Sequence, residues 1–200
     1  MDLLYKREYL KCSDYNSSDK PSDKPIIEVI KLNKNAKGFV TLCDNEIVFF
    51  LDGIINLKIK DLPEYIADKN EIFLIPTGKY FSYTAMSECS FIVFRIDDLG
   101  KYSDIFLSPN ISYAKTSCCI DLNDSGPARI HSLRMNAFMR MFLDNLRECM
   151  NNGLRCIHYF ELKTKELFFI LKANYTKEEI CYLFPFISNE SGFSGQSCLG

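Results

Sequence analysis

Short apolar runs separated by turn residues dominate the chain from residue 26 to about residue 122. Each run is rich in β-branched and aromatic residues and is bounded by Asn, Asp, Gly or Pro, which is the pattern of strands joined by turns. The predicted strands cover residues 26–32, 38–43, 46–51, 54–59, 71–75, 80–86, 90–96 and about 119–122. Asp52-Gly53 stands between two apolar runs and predicts a two-residue hairpin turn. Strands at this spacing predict a β-sandwich or a small barrel.

The apolar spacing changes to threes and fours after this region, which predicts an amphipathic helix over about residues 127–151. Pro127 suits a first helical turn, and Asn152-Gly153 supplies a stop. A second helix is predicted over about residues 155–173. Thr176 and Glu179 form the pattern of a capping box for a short third helix, which Pro185 ends.

The two ends of the chain have a different composition. Residues 13–25 are polar and repeat the motif SDKP, and the last residues show no periodicity. We therefore expect an N-terminal arm and polar segment over 1–25, a β-barrel over 26–124, a helical region over 125–188 and a loose tail over 189–200.

Charge and hydropathy exclude several classes of protein. The 24 Lys and Arg residues against 26 Asp and Glu give a net charge of -2, so there is no basic field that favours nucleic acid. The apolar runs are too short for a membrane helix, and the N-terminus lacks the apolar core of a secretory signal. Nine cysteines at irregular spacing argue against a disulfide framework. These features predict a cytoplasmic protein without a membrane partner.

Four segments of the β region, EIVFFLDG, INLKI, NEIFLIPTGKYFSY and SFIVFRID, resemble the cupin-like barrel of AraC-family transcriptional regulators. The segment ELKTKELFFILKANYTKEEICYLFPFI, residues 161–187, resembles the linker and dimerisation helices of one branch of that family. The resemblance implies a mainly β fold with α-helices: a cupin-like jelly-roll barrel, an antiparallel helical hairpin and a short third helix. It also implies a small-molecule effector and a homodimer. Only thirteen residues follow Ile187, so we expect DNA to be bound through a helix-turn-helix domain that this chain lacks.

The resemblance to cupins also raises the question of a metal. Glu46 lies seven residues before Gly53, which matches the spacing of the first metal-binding motif of cupin enzymes. The positions at which His ligands are expected hold other residues: Val40 and Leu42, or alternatively Phe39 and Thr41, and Phe81 in the second motif. One carboxylate without imidazole partners binds a transition metal poorly. We therefore predict no metal and no cofactor.

The two-residue period of a strand predicts which side chains line the barrel interior. If Glu46 points inward, Val48 and Phe50 point inward as well. The same reasoning on other strands completes the predicted ligand-binding set: Val40, Leu42, Glu46, Val48, Phe50, Phe81 and Tyr83. This mostly apolar lining suits a small organic ligand. The alternative is that the same side chains fill the barrel and leave no cavity.

The first predicted helix carries more Met and Phe than one apolar stripe needs. One side can cover the barrel while the other contacts a second copy of the chain. The predicted dimerisation residues are Met135, Phe138, Met139, Phe142 and Leu146. The alternative is that both sides are buried within one subunit.

Three functions remain open at this point. The first is a ligand-sensing and dimerisation domain of an AraC-type regulator, which is not an enzyme. The second is a metal-independent cupin-type enzyme, such as an isomerase, with Glu46 as general base and Tyr83 as acid. The third is a structural or adaptor barrel with a solid interior.

Overall fold

The structure is a computed structural model that describes residues 25–59, 63–106, 130–154 and 156–184. Within these ranges it contains nine strands: β1 (Ile27–Leu32), β2 (Lys37–Thr41), β3 (Asn45–Asp52), β4 (Ile54–Ile59), β5 (Tyr65–Asp68), β6 (Glu71–Ile75), β7 (Tyr80–Ala85), β8 (Cys89–Ile96) and β9 (Ser132–Arg134). Seven of the predicted strands are confirmed to within two residues at each end. The eighth, at about 119–122, lies outside the described residues, as do residues 1–24 of the predicted arm and polar segment over 1–25 and the predicted tail over 189–200.

The strands form two antiparallel sheets. Sheet A has the order β1-β8-β3-β6-β9, and sheet B has the order β2-β7-β4-β5. Apart from the β4–β5 pair within sheet B, the first eight strands alternate between the two sheets, which is the interleaved strand order of a jelly roll. The predicted fold class, a mainly β jelly roll followed by a helical hairpin and a short third helix, is confirmed.

The Asp52-Gly53 turn does not join a hairpin, and this prediction is wrong. β3 belongs to sheet A and β4 belongs to sheet B, so the turn carries the chain from one sheet to the other. Gly53 has a φ of 96°, and a Cβ at this position would lie 2.2 Å from the carbonyl oxygen of Glu88. The close approach of two chain segments, rather than strand pairing, requires glycine here.

Four helices follow or interrupt the strands: α1 (Ser103–Phe106), α2 (Ala137–Asn151), α3 (Ile157–Asn174) and α4 (Lys177–Leu183). A single 3₁₀ turn, Leu99–Tyr102, leads into α1. The predicted second and third helices are confirmed, including the capping box of Thr176 and Glu179. Pro185 and Pro127 lie outside the described residues.

The first long helix begins ten residues later than predicted. Residues 132–134 form β9 instead and pair with β6, with Leu133 opposite Ile72. Asn136 then caps α2, because its side chain accepts a hydrogen bond from the backbone N–H of Met139 at 2.9 Å. His131 falls within the helix predicted from the sequence, but the structure places it immediately before strand β9.

Two apolar clusters hold the molecule together. One lies between the two sheets, and the other lies between the outer face of sheet A and the helices α2, α3 and α4. Sheet A is thus buried on both faces, which explains why β3 is buried continuously from Glu46 to Leu51. The outer face of sheet B is exposed and carries Phe39 and Ile66 in contact with solvent.

Candidate functional site

A cavity of about 130 Å³ lies between the inner faces of the two sheets. Most of its wall is aliphatic or aromatic, and Glu46, Arg95 and Tyr83 supply the polar groups. The lining residues come from strands of both sheets: Ile30, Leu32, Val40, Glu46, Val48, Phe50, Ile55, Leu57, Phe73, Ile75, Phe81, Tyr83, Phe91, Val93 and Arg95. An apolar enclosure with few polar groups is the usual form of a small-molecule site.

The β3–β8 ladder gives the cavity one polar end and one aromatic end. Directly opposed residues on the two strands point inward as pairs because side chains alternate between the faces of a sheet. These inward pairs are Glu46 with Arg95, Val48 with Val93, and Phe50 with Phe91. The rings of the last pair are stacked, with centroids 5.8 Å apart.

Arg95 is the centre of a buried polar network. Its Nε donates to Oε1 of Glu46 at 2.8 Å, and its Nη2 donates to Oε2 of Glu28 at 2.7 Å. Its Nη1 donates to the backbone carbonyl of Pro25 at 2.8 Å. The side chains of Arg95 and Glu46 are only 5% and 8% exposed, whereas that of Glu28 is 40% exposed. Two carboxylates on different strands therefore share one guanidinium, and Glu46 is held in a buried ion pair rather than in a surface one.

Six of the seven predicted ligand-binding residues lie in the cavity wall: Val40, Glu46, Val48, Phe50, Phe81 and Tyr83. Leu42 is buried in the cluster between the sheets but does not line the cavity. Whether these residues bind a ligand stays a prediction. The interior is not filled solid, in contrast to the packed-barrel alternative.

Arg95 is the polar cavity residue that sequence reasoning missed. It has the same strand parity as Phe91 and Val93, and it is the single charged residue between Phe91 and Ile96. A charged side chain on the inward face of a buried strand needs a charged partner, and Glu46 had already been placed on the inner face. The signal was therefore available in the parity of two strands.

Two positions at which the resemblance to cupins predicts His ligands lie in the cavity wall. Phe81 and Val40 face the cavity and oppose each other across β7 and β2. The described residues include no group of three or more His, Cys, Asp or Glu side chains that could hold a metal ion. The ring of Tyr83 lies over Gly38, where a Cβ would come within 2.6 Å of the tyrosine oxygen. Glycine at this position makes room for the Tyr83 side chain in the cavity wall.

The outward side chains of β3 and β8 contact the helices. Phe94 neighbours Arg95 in sequence but points to the opposite face of sheet A, where its ring stacks on Phe142 of α2 with centroids 6.2 Å apart. Phe49 contacts Phe94 edge to face on the same side, with centroids 5.4 Å apart. Two strands thus carry cavity residues on one face and helix-contacting residues on the other.

The predicted dimerisation residues divide into two groups. Met139, Phe142 and Leu146 are buried within the chain, against sheet A and α3, so they are corrected to core residues. Met135 is partly buried against the same cluster. Phe138 is exposed and remains available to a partner.

Three exposed apolar side chains on α2 and α3 are not among the predicted dimerisation residues. Met141 on α2 is 68% exposed, and Leu162 and Phe169 on α3 are 64% and 58% exposed. Leu162 and Phe169 are seven residues apart, which places them on one face of α3. The helix pair therefore buries its central stripe against sheet A and keeps further apolar side chains on its surface.

In the part of the chain that the structure describes, no helix is both long and apolar enough to cross a membrane. The predicted cytoplasmic location stays a prediction.

No model of a known protein family matches this sequence, and no curated protein sequence matches it. Among solved structures, a conserved protein of unknown function from Streptococcus pyogenes aligns with 36% of this chain and 63% of its own, at 19% identity and a TM-score of 0.34. A cupin superfamily protein from Desulfitobacterium hafniense aligns over 40% of this chain and 72% of its own, at 11% identity and a TM-score of 0.35.

A third alignment is to an RmlC-like cupin with a double-stranded β-helix fold from Methanocaldococcus jannaschii. It covers 36% of this chain and 69% of the other, at 13% identity and a TM-score of 0.33. At these scores the alignments say nothing about activity, and the jelly-roll assignment rests on the strand order itself.

Proposed function

We propose that this chain is the ligand-sensing and dimerisation domain of an AraC-type transcriptional regulator, with DNA bound by a separate domain. The observation that carries the proposal is the two-sided role of β3 and β8, whose inner faces line the cavity and whose outer faces support the helices. The resemblance of the barrel and of residues 161–187 to that family supports it further.

The geometry offers a short route from the cavity to the helices. A ligand that contacts Val93 or Arg95 lies one residue along β8 from Phe94, which packs on Phe142 of α2. Close-packed interiors transmit small displacements because they contain few voids. A ligand that binds one arrangement of sheet A and α2 more tightly than another shifts the population of helix arrangements.

The dimer in this proposal forms through the exposed apolar side chains of the hairpin, Phe138 and Met141 on α2 together with Leu162 and Phe169 on α3. A two-fold axis lets the same patch on both copies bury itself, which is the commonest homodimer geometry. Aromatic and Met side chains are enriched in such interfaces.

Sedimentation of the full chain over a range of concentrations tests the dimer. Phe169→Lys is expected to shift the chain toward the monomer, because it buries a charge in the interface. Ile66→Lys is the matched control, since Ile66 is 58% exposed like Phe169 but lies on sheet B, away from the helices. A wild-type chain that stays monomeric at high concentration, or equal effects of the two substitutions, contradicts the dimer.

Thermal-shift screening of the full chain against small metabolites tests the sensor. A compound that binds only the native state raises the melting temperature, and the stabilisation grows with the logarithm of its concentration relative to its dissociation constant. We expect hits that are lost when the cavity is filled by Val48→Leu. A screen in which no compound stabilises the wild-type chain contradicts the sensing function.

A further inference from the structure

The charges at the polar end of the cavity already neutralise one another. Arg95 donates to both Glu46 and Glu28, so its guanidinium is shared by two carboxylates. A ligand carboxylate that entered here would add a third negative charge beside an arginine that is already engaged. A ligand ammonium would lose its hydration in an apolar cavity whose one lining carboxylate, Glu46, is paired at 2.8 Å. Within the described part of the cavity wall, neither kind of ion finds an unpaired opposite charge.

The volume limits the ligand to about one ring. An apolar cavity of about 150 Å³ accommodates benzene, and the cavity here measures about 130 Å³. Its far end is aromatic, with Phe50 stacked on Phe91. Phe73, which also lines the cavity, opposes Val48 one inward position along β3. Flat apolar rings pack well against such side chains.

The number of polar groups limits the ligand further. Every buried hydroxyl needs a hydrogen-bond partner, and an unpaired one costs about 1–3 kcal/mol. Among the residues that the structure describes, the cavity wall offers side-chain partners only at Glu46, Arg95 and Tyr83. A polyhydroxylated ligand such as a sugar would therefore leave most of its hydroxyls against apolar side chains.

We propose that the cavity binds a small uncharged molecule of single-ring size with one hydroxyl group, a phenol-like ligand, and that this hydroxyl donates to Glu46 while the ring lies toward Phe50 and Phe91. The inference rests on the proposed sensing function and names the chemical class of its ligand. It separates this cavity from one built for carboxylates, amines or sugars.

Calorimetric titration of the full chain with four probes tests the ligand class: phenol, benzoate, benzylamine and glucose. We expect phenol to bind with one site per chain and the other three to bind at least about tenfold more weakly, because each adds a charge or unpaired hydroxyls that the cavity cannot satisfy. Val93→Leu adds one methylene to the cavity wall and is expected to weaken phenol binding by about tenfold or more. Val29→Leu is the matched control, because it is the same substitution on the opposite, helix-facing side of sheet A.

A second comparison tests the role of Glu46. Toluene has the ring without the hydroxyl, so Glu46→Gln is expected to reduce the preference for phenol over toluene by about tenfold. The toluene affinity itself reports whether the variant still forms the cavity.

The outcomes separate this inference from the function on which it rests. Binding of benzoate, benzylamine or glucose that Val93→Leu abolishes overturns the uncharged single-ring class but leaves the sensing function intact. Absence of phenol binding also overturns the class, and the metabolite screen then decides the sensing function separately. An unchanged phenol preference in Glu46→Gln overturns the assigned role of that carboxylate.

Discussion

Arg95 and Glu46 face each other directly across β8 and β3, and the Nε of Arg95 donates to Oε1 of Glu46 at 2.8 Å inside the jelly roll. Moving both charges out of water is costly, so such a pair is weak evidence for stability. An apolar pair of similar size would pack the same space without that cost. In the proposed sensing function, the pair forms the polar end of the ligand cavity.

The first prediction concerns the loss of one partner. Arg95→Met leaves the Glu46 carboxylate buried without its guanidinium, which is expected to lower the free energy of unfolding by about 3–5 kcal/mol. The double variant Arg95→Met, Glu46→Met removes both charges and is expected to recover most of that loss. Urea denaturation measures both values.

Arg134 provides the matched control for this prediction. Its side chain is 66% exposed and lies 3.5 Å from Asp68 and 3.7 Å from Glu71. Exposed ion pairs contribute at most about 1 kcal/mol, so Arg134→Met is expected to have a small effect. Equal destabilisation by Arg95→Met and Arg134→Met would contradict the buried role of Arg95.

Much of the jelly roll could be predicted because alternation and turn residues are local signals. The inward direction of Glu46, Val48 and Phe50 followed from the two-residue period of one strand, and the structure places all three in the cavity wall. Which strands pair could not be predicted, since pairing depends on contacts between residues far apart in sequence. The Asp52-Gly53 turn illustrates this limit, because its local chemistry is the same whether the next strand pairs with β3 or crosses to the other sheet.

The helical region shows a different limit. Leu133 has helical spacing to later apolar residues, yet it lies in β9 because β6 offers an unpaired edge and Asn136 starts the helix after it. The buried face of α2 was mistaken for an interface because sequence periodicity shows that a stripe is apolar but not what covers it. Met139 and Phe142 pack against sheet A, and contact with that sheet accounts for the wide apolar surface of α2.

A second prediction tests the contact that joins the cavity strand to the helix. Phe94→Ala and Phe142→Ala are each expected to cost about 3–5 kcal/mol, because both rings are buried. A double-mutant cycle is expected to give a coupling energy of about 0.5–1.5 kcal/mol for the stacked pair. Phe39→Ala is the control, since Phe39 stacks on Tyr80 but is exposed, and it is expected to change stability by about 0.5 kcal/mol or less. Additive effects of Phe94 and Phe142 would argue against transmission through their contact.

A third prediction concerns the turn that changes sheets. Gly53→Ala combines a φ of 96° with a Cβ that meets the Glu88 carbonyl oxygen, so it is expected to destabilise the chain by at least about 3 kcal/mol. Gly78→Ala has a φ of 74° but open space around its Cβ, and it is expected to cost only about 1–2 kcal/mol from the backbone conformation. Thermal denaturation of the two variants separates crowding from conformation, and similar costs would show that the contact with Glu88 is easily relieved.

A fourth prediction is a loss of stability in alkali. Burial raises the pKa of four tyrosines above the ordinary value of 10.0, because the folded chain disfavours the phenolate: Tyr65, Tyr102, Tyr159 and Tyr175. Above about pH 10 these groups lose protons in the unfolded chain while they keep them in the folded one, so the unfolded state binds fewer protons. The free energy of unfolding is therefore fully retained below about pH 10 and falls as the pH rises further, by up to about 1.4 kcal/mol per pH unit for each such group.

Denaturant titrations at stepped pH, with tyrosinate absorbance followed in parallel, measure this fall and the ionisation that causes it. Tyr65→Phe removes one of the four groups, together with the hydrogen bond that its hydroxyl donates to Glu71 at 2.8 Å. The variant is expected to begin less stable at neutral pH but to lose stability less steeply in alkali, because one fewer buried phenol resists ionisation. If Tyr65→Phe kept the full wild-type slope, burial of that phenol would not contribute to the alkaline transition.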